Sequence, residues 1–154
     1  MYNMITIEEF KKKQTSKTRL IGLDLGSKRI GISICDEKQS IATPFKTINR
    51  INTSELVNEL KEIIRENNIK GIVIGNPINM DGTSGSSAQS VKDISTNISQ
   101  FIDLPVFLWD ERLSTVGAFN LSSQLDVNIS KKIKKIDENA AAFILQGAID
   151  YLNN

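Results

Sequence analysis

The spacing of the hydrophobic residues changes once along this chain of 154 residues, and that change limits the folds it can adopt. Between residues 20 and 48 the apolar side chains follow strand patterns, with a continuous run at residues 20–23 and isoleucines at every second position from Ile30 to Ile34. From Thr53 onward they recur at helical spacing, interrupted by the short apolar runs 71–75 and 105–109. This order predicts an α/β fold in which three strands precede alternating helices and strands.

The first three strands are predicted to form an antiparallel meander. Residues 20–24 are apolar on both faces, as expected for a central strand that is covered on each side. Residues 26–29 connect this strand to residues 30–35, and a link this short suits a hairpin rather than a helical crossover. A third extended stretch covers about residues 40–48.

The later strands are predicted to run parallel, because helices separate them. The helices are expected at about residues 53–67, 91–101 and 137–152. Right-handed crossovers then place helices on both faces of a mixed five-stranded sheet. The length suits one core, so we interpret residues 19–154 as a single domain and residues 1–18 as an N-terminal extension.

The composition restricts the chemistry that is available to the protein. Nineteen basic and 18 acidic side chains leave a net charge of +1, so a surface for a polyanion must come from local clustering. The chain has no histidine, which leaves carboxylates, hydroxyls, amines and backbone groups as catalysts or ligands. A single cysteine, Cys35, excludes an intramolecular disulfide and a multi-thiolate zinc site. No apolar run approaches the roughly 20 residues that span a bilayer, so we expect a cytoplasmic protein.

Acidic residues end two of the predicted strands at what should be the same edge of the sheet. Asp24 closes the first strand, and Asp110 and Glu111 close the last. In open α/β sheets, reactive groups gather beyond the carboxyl ends of the central strands, so these side chains are candidate ligands or catalysts. Whether Asp110 or Glu111 faces the site stays open, because a change of one residue in the strand end reverses their directions.

A third acid is predicted from helix geometry. Ala141, Ile144 and Ala148 follow Asp137 at helical spacing, which places Asp137 on the helix face that packs against the sheet. The alternative interpretation is that Asp137 caps the helix N-terminus, a role worth about 0.5–2 kcal/mol. Three carboxylates at one edge repel one another, and Mg²⁺ or Mn²⁺ would compensate for their charge. Two such ions about 4 Å apart can promote phosphodiester hydrolysis.

A turn-rich loop at residues 75–83 lies on the same predicted edge. It follows a parallel strand and precedes a helix, so its backbone N–H groups could bind a phosphate, with Asn79 and Thr83 nearby. It lacks the Gly-Lys-Ser/Thr end of a Walker loop, and an ordinary connection is an equally good interpretation. Asp81 is a possible fourth acid of the site.

Basic residues beside the acids are candidate phosphate contacts. Lys28 and Arg29 follow Asp24 in the predicted hairpin turn. Arg112 follows the last strand, where it could contact nucleic acid or pair with a neighbouring carboxylate.

Four sequence motifs occur in order between about residues 19 and 152. They are Leu23-Asp24-Leu25-Gly26-Ser27-Lys28-Arg29-Ile30-Gly31, Gly75-x-Pro77-x-Asn79-Met80-Asp81-Gly82-Thr83, Trp109-Asp110-Glu111-Arg112-Leu113-Ser114-Thr115 and Asp137-x-x-Ala140-Ala141-x-x-Ile144-Leu145-Gln146. Together they resemble the YqgF family of Holliday-junction resolvases, whose members are also called pre-16S rRNA nucleases.

The resemblance implies a ribonuclease H-like fold, a cytoplasmic location and a nuclease that matures the 5′ end of 16S ribosomal RNA. The family's acidic positions fall on Asp24, Glu111 and Asp137, which are among the acids that strand ends and helix phase indicate. Junction resolution is the older proposal for the family, so branched DNA is the alternative substrate. One departure is Asn76, which stands where the family more often has an apolar residue.

Two other functions compete with a nuclease. A non-catalytic RNA-binding factor in ribosome assembly would suit the near-neutral charge and the modest lysine clusters. An actin-like ATPase would share the glycine hairpin, but it needs a second lobe for which this chain has no room. The expected partner is RNA or branched DNA rather than a membrane, and the protein is expected to act as a monomer or a homodimer.

Overall fold

A computed structural model describes residues 3–77, 81–82, 85–111 and 129–154, with side chains from residue 139 onward in the last range. Strands and helices follow one another in the predicted order. They are α1 (Ile7–Lys13), β1 (Arg19–Leu25), β2 (Arg29–Cys35), β3 (Ala42–Asn49), α2 (Thr53–Asn67), β4 (Ile69–Asn76), α3 (Ser86–Phe101), β5 (Val106–Asp110) and α4 (Ile129–Leu152).

The five strands form one mixed sheet in the order β3-β2-β1-β4-β5. The hairpin-linked strands β1, β2 and β3 pair antiparallel, whereas β4 pairs parallel with both β1 and β5. Strand β1 lies at the centre, which explains why both of its faces are apolar between Leu20 and Leu23. The predicted α/β fold with an antiparallel meander followed by parallel strands is therefore confirmed.

Helices cover both faces of the sheet, as the crossover rule predicts. On one face, α2 and α3 bury Leu60 and Ile98 against Ile72 of β4. On the other face, α4 buries Leu145 against Val73. None of the helices in the described part of the chain is both long and apolar enough to cross a lipid bilayer.

The N-terminal segment packs along the edge of the sheet beside β5. The backbone N–H of Ile5 donates to the carbonyl of Val106 at 3.0 Å, and that of Val106 donates to Asn3 at 3.0 Å. Helix α1 follows, and its Phe10 ring packs on Phe107 with 4.8 Å between the ring centroids. The predicted extension thus contributes a short helix to the core on the α4 side.

Helix α4 begins at Ile129, about two turns earlier than the predicted start at Asp137. Asp137 therefore lies inside the helix, and the interpretation of this residue as an N-terminal cap is wrong. The lysine-rich stretch before Asp137 belongs to the helix, because lysine and isoleucine are both compatible with helical backbone and no breaker separates them from it.

Helix α4 comes very close to the centre of the sheet at Gly22 and Ser33. The Ser33 hydroxyl donates a 2.7 Å hydrogen bond to the Ala141 carbonyl of α4. A Cβ added at Gly22 would lie 2.6 Å from Ser33 Oγ and 2.8 Å from Leu145 Cβ, so only glycine leaves room for the helix. These contacts hold α4 over β1 and β2.

The hydrogen bond from Ser33 can be tested against a matched buried serine. Ser33 and Ser95 are both fully buried, but within the part of the chain that the structure describes Ser95 Oγ has no hydrogen-bond partner. We expect Ser33→Ala to lower the free energy of unfolding by about 1 kcal/mol. Ser95→Ala should preserve or raise it, because an unpaired hydroxyl is removed from the helix interior. Urea denaturation measures both, and an equal loss in the two variants would contradict the docking role of Ser33.

Candidate active site

Asp24 and Glu111 lie on the face of the sheet that α4 covers. Gly22 touches α4, and because side chains alternate along a strand, Asp24 two residues later points to the same face. Trp109 also faces α4, since a Cβ added at Gly147 of that helix would be 2.9 Å from the indole Nε1. Glu111 follows two residues after Trp109, at the carboxyl end of β5.

The carboxyl groups of Asp24 and Glu111 share a hydrogen bond. Burial is the largest of the causes that together raise the pKa of Glu111 from 4.5 to about 7; the negative charges of Asp24 and Asp110 and the hydrogen bond to Asp24 contribute in the same direction. Two adjacent carboxylates in a partly desolvated place resist simultaneous ionisation, so the pair retains a proton near neutral pH. The structure thus brings together two of the predicted site residues.

The sequence left open whether Asp110 or Glu111 faces the site. Asp110 pairs in register with Asn76 at the end of the β4–β5 ladder, and it follows Leu108, which packs against the α2–α3 core. By strand alternation Asp110 therefore points to the face opposite Glu111. Asn76 is buried here, and its Oδ1 has no hydrogen-bond partner among the described residues.

Helix α4 runs from the carboxyl edge of the sheet to the opposite edge. Ile144 lies over Gly75 near the end of β4, whereas the Gln146 side chain accepts a 2.8 Å hydrogen bond from the backbone of Ala42, where β3 begins. The backbone of Asp137, two turns before Ile144, consequently lies farther along α4 in the direction of the carboxyl edge. The side chain of Asp137 lies outside the described residues.

Within the described side chains, no group of three acidic or thiol side chains is placed to hold a metal ion. Asp24 and Glu111 form a pair, and the side chain of the predicted third acid, Asp137, lies outside the described residues.

The predicted nucleic-acid contacts are only partly within the described residues. Lys28 is exposed in the turn between β1 and β2, and Arg29 begins β2. Asp81 lies in an exposed turn before α3. The other three predicted contacts lie outside the described residues: Asn79, Thr83 and Arg112.

Arg50 was not among the predicted site residues, and it supports the turn that follows Asp24. Its Nη1 donates a 2.6 Å hydrogen bond to the Gly26 carbonyl, and its backbone N–H donates to the Lys28 carbonyl at 2.8 Å. Strand β3 runs in the same direction as β1, so a residue just after β3 reaches the same edge. The signal in the sequence that could have identified Arg50 was its position at the end of the third strand of the meander.

Comparison with known families and proteins identifies close relatives of the chain. Residues 18–151 match the family described as RuvX: Holliday junction resolvase. A protein of Pelagibacter ubique named "Putative pre-16S rRNA nuclease" is 76% identical over 98% of this chain and 100% of its own length. A protein of the same name from Cereibacter sphaeroides is 43% identical over 96% of this chain and 92% of its own length.

Solved structures with little sequence identity share the fold. T. thermophilus RuvC in complex with a Holliday junction substrate superimposes with a TM-score of 0.54 at 9% identity, covering 87% of this chain and 94% of RuvC. The yeast mitochondrial Holliday junction resolvase Ydc2 gives a TM-score of 0.52 at 12% identity, covering 96% of this chain and 84% of Ydc2. These likenesses confirm the ribonuclease H-like fold.

The shared proton of the carboxyl pair predicts how stability depends on pH in the metal-free protein. The folded state holds the proton of Glu111 up to a pKa of about 7, whereas the unfolded chain releases it near 4.5. The folded state therefore binds more protons between these values, and its stability should fall as the pH rises through this window. Urea denaturation in a chelator at a series of pH values measures the effect.

Glu111→Gln should flatten this part of the pH profile, because glutamine does not titrate. Glu66→Gln, which removes an exposed carboxylate at the far end of α2, is the matched control and should keep the slope of the unmodified protein. Identical slopes in Glu111→Gln and the unmodified protein would contradict the carboxyl pair.

Proposed function

This chain belongs to the RuvX family, and on that premise we propose that it is a metal-dependent nuclease that processes the 5′ end of pre-16S ribosomal RNA. The observation that carries the proposal is the hydrogen-bonded carboxyl pair of Asp24 and Glu111 at the carboxyl edge of a ribonuclease H-like sheet. RNA is favoured over branched DNA because the relatives at 76% and 43% identity are both named for pre-16S rRNA.

The residues at this edge fit a divalent metal ion. Their donors are carboxyl oxygens, which Mg²⁺ and Mn²⁺ prefer, and the chain contains no histidine that would favour softer metals. The carboxyl pair is also costly to ionise without a cation, so it gains from a nearby positive charge. We assign Asp24, Glu111 and Asp137 to hold Mg²⁺ or Mn²⁺.

A bound divalent ion supplies a water of lowered pKa and compensates the charge that develops on the phosphate. The chain supplies the placement of the acids. Asp24 is fixed by the central strand, Glu111 by the end of β5, and Asp137 by the first half of α4. The assigned phosphate contacts around them are Lys28, Arg29, Asn79, Thr83 and Arg112.

Cleavage of a 16S precursor fragment tests this assignment. We expect cleavage with Mg²⁺ or Mn²⁺ and none in chelator. Asp24→Asn, Glu111→Gln and Asp137→Asn should each lower kcat by about a hundredfold or more, because each removes a carboxylate that would hold the cation, and the cation stabilises the negative charge that develops on the phosphate. Glu66→Gln should retain full activity, since Glu66 lies at the C-terminal end of α2, away from the carboxyl edge of the sheet. Unchanged cleavage by Asp24→Asn would refute the site.

The same preparation distinguishes the competing functions. A four-way DNA junction cleaved faster than the RNA fragment would favour the junction resolvase, which the family description names. RNA that is bound but not cleaved, with Mg²⁺ as well as with Mn²⁺, would favour a non-catalytic assembly factor.

We further propose that residues 19–154 form one nuclease domain and that residues 1–18 are an extension packed against its edge. The pairing of Asn3 and Ile5 with Val106 and the burial of Phe10 support this interpretation. We propose a cytoplasmic location, where precursor rRNA is available, and action as a monomer or a homodimer.

A further inference from the structure

The order of strands in the sheet poses a geometric problem for the carboxyl pair. Asp24 ends β1 and Glu111 follows β5, and β4 lies between these two strands. Strands separated by one intervening strand are about 9–10 Å apart. The two carboxyl groups nevertheless share a hydrogen bond, so the Glu111 side chain must pass over the backbone of β4 to reach Asp24.

The crossing point is Gly75. A Cβ added at this residue would lie 2.9 Å from Glu111 Cγ and 3.0 Å from Glu111 Cδ. It would also lie 2.5 Å from Ile144 Cδ1 of α4, which closes the same space from above. The Glu111 side chain therefore occupies the volume that any other residue at position 75 would fill.

Backbone conformation does not explain the glycine. Gly82 has a φ of 90°, in the region that favours glycine, whereas Gly75 is not among the residues with positive φ. Gly75 lies in a regular parallel ladder, paired with Trp109 of β5. Alanine would be compatible with this backbone, so the space above the strand is what requires glycine.

We propose that Gly75 is a positioning residue: its missing side chain opens the passage over β4 through which Glu111 reaches Asp24. This role is distinct from the backbone phosphate contact that the loop motif suggested. The inference rests on the proposed function in one respect, which is that the carboxyl groups of Asp24 and Glu111 hold a metal ion. A Cβ at position 75 displaces Cγ and Cδ of Glu111, and because Cδ carries both oxygens, the carboxylate moves with them.

Two effects of Gly75→Ala have to be separated, because the new Cβ meets Ile144 as well as Glu111. Ile144→Val removes the Cδ1 atom and relieves the clash with the core without touching Glu111. The informative comparison is therefore Ile144→Val against the double variant Gly75→Ala/Ile144→Val. The two proteins differ only in the Cβ that obstructs Glu111.

The metal-free protein provides the first readout. In the unmodified chain, nuclear Overhauser effects should connect the Glu111 Hγ atoms with Gly75 Hα and with Asp24 Hβ. Absence of both effects in the unmodified protein would overturn the inference, whatever the variants do. In the double variant, the effect between Glu111 and Asp24 should be lost, while it persists in Ile144→Val.

Affinity for Mn²⁺, measured by calorimetry, provides the second readout. We expect Ile144→Val to bind Mn²⁺ as the unmodified protein does, and the double variant to bind about 10–100-fold more weakly, as when the support of a metal ligand is removed. Equal affinity in these two variants, with Glu111→Gln weakened, would overturn the role of Gly75.

Glu111→Gln separates this inference from the proposed function. If Glu111→Gln binds Mn²⁺ and cleaves RNA as well as the unmodified protein, the assignment of Glu111 as a metal ligand fails. The nuclear Overhauser effects would then still decide whether Gly75 positions Glu111 beside Asp24.

Discussion

The close contact between α4 and the sheet is the constraint on which the rest of the structure depends. Helix α4 packs close to the sheet because Gly22 carries no side chain beneath it and because the Ser33 hydroxyl donates a hydrogen bond to the Ala141 carbonyl. Close packing of this kind fixes the rotation and the axial position of a helix, since neighbouring side chains interlock. The turns of α4 that precede Ala141 thereby extend towards the carboxyl edge of β1, where Asp24 and Glu111 lie.

The acidic pair illustrates how this architecture concentrates negative charge. Glu111 is partly desolvated and lies beside Asp24, so the folded protein keeps a proton that the unfolded chain would release. Such an arrangement lowers stability near neutral pH, and it is typical of sites where a cation or a substrate interacts with the charge. The fold and the membership in the RuvX family agree with that use.

Much of the fold could be predicted from local patterns and topology rules. The switch from strand to helix spacing and the short link at residues 26–29 were enough for the meander, the parallel strands and the helices on both faces. The predicted start of α4 at Asp137 was wrong, because the lysine-rich stretch before this residue contains no cap or breaker signal. Arg50 was missed because its contact with the Gly26 carbonyl joins residues 24 positions apart in the sequence.

The sequence by itself determined the order of the strands and helices and the acidic residues that end β1 and follow β5, because these depend on residue spacing along the chain. The tertiary structure alone decided that Glu111 rather than Asp110 meets Asp24, since that depends on the last residue of β5 that keeps strand alternation. The tertiary structure also explains why residue 75 is a glycine. The sequence marks Gly75 as part of a loop motif, whereas the space it must leave empty is defined by Ile144 and Glu111, which approach it from other elements.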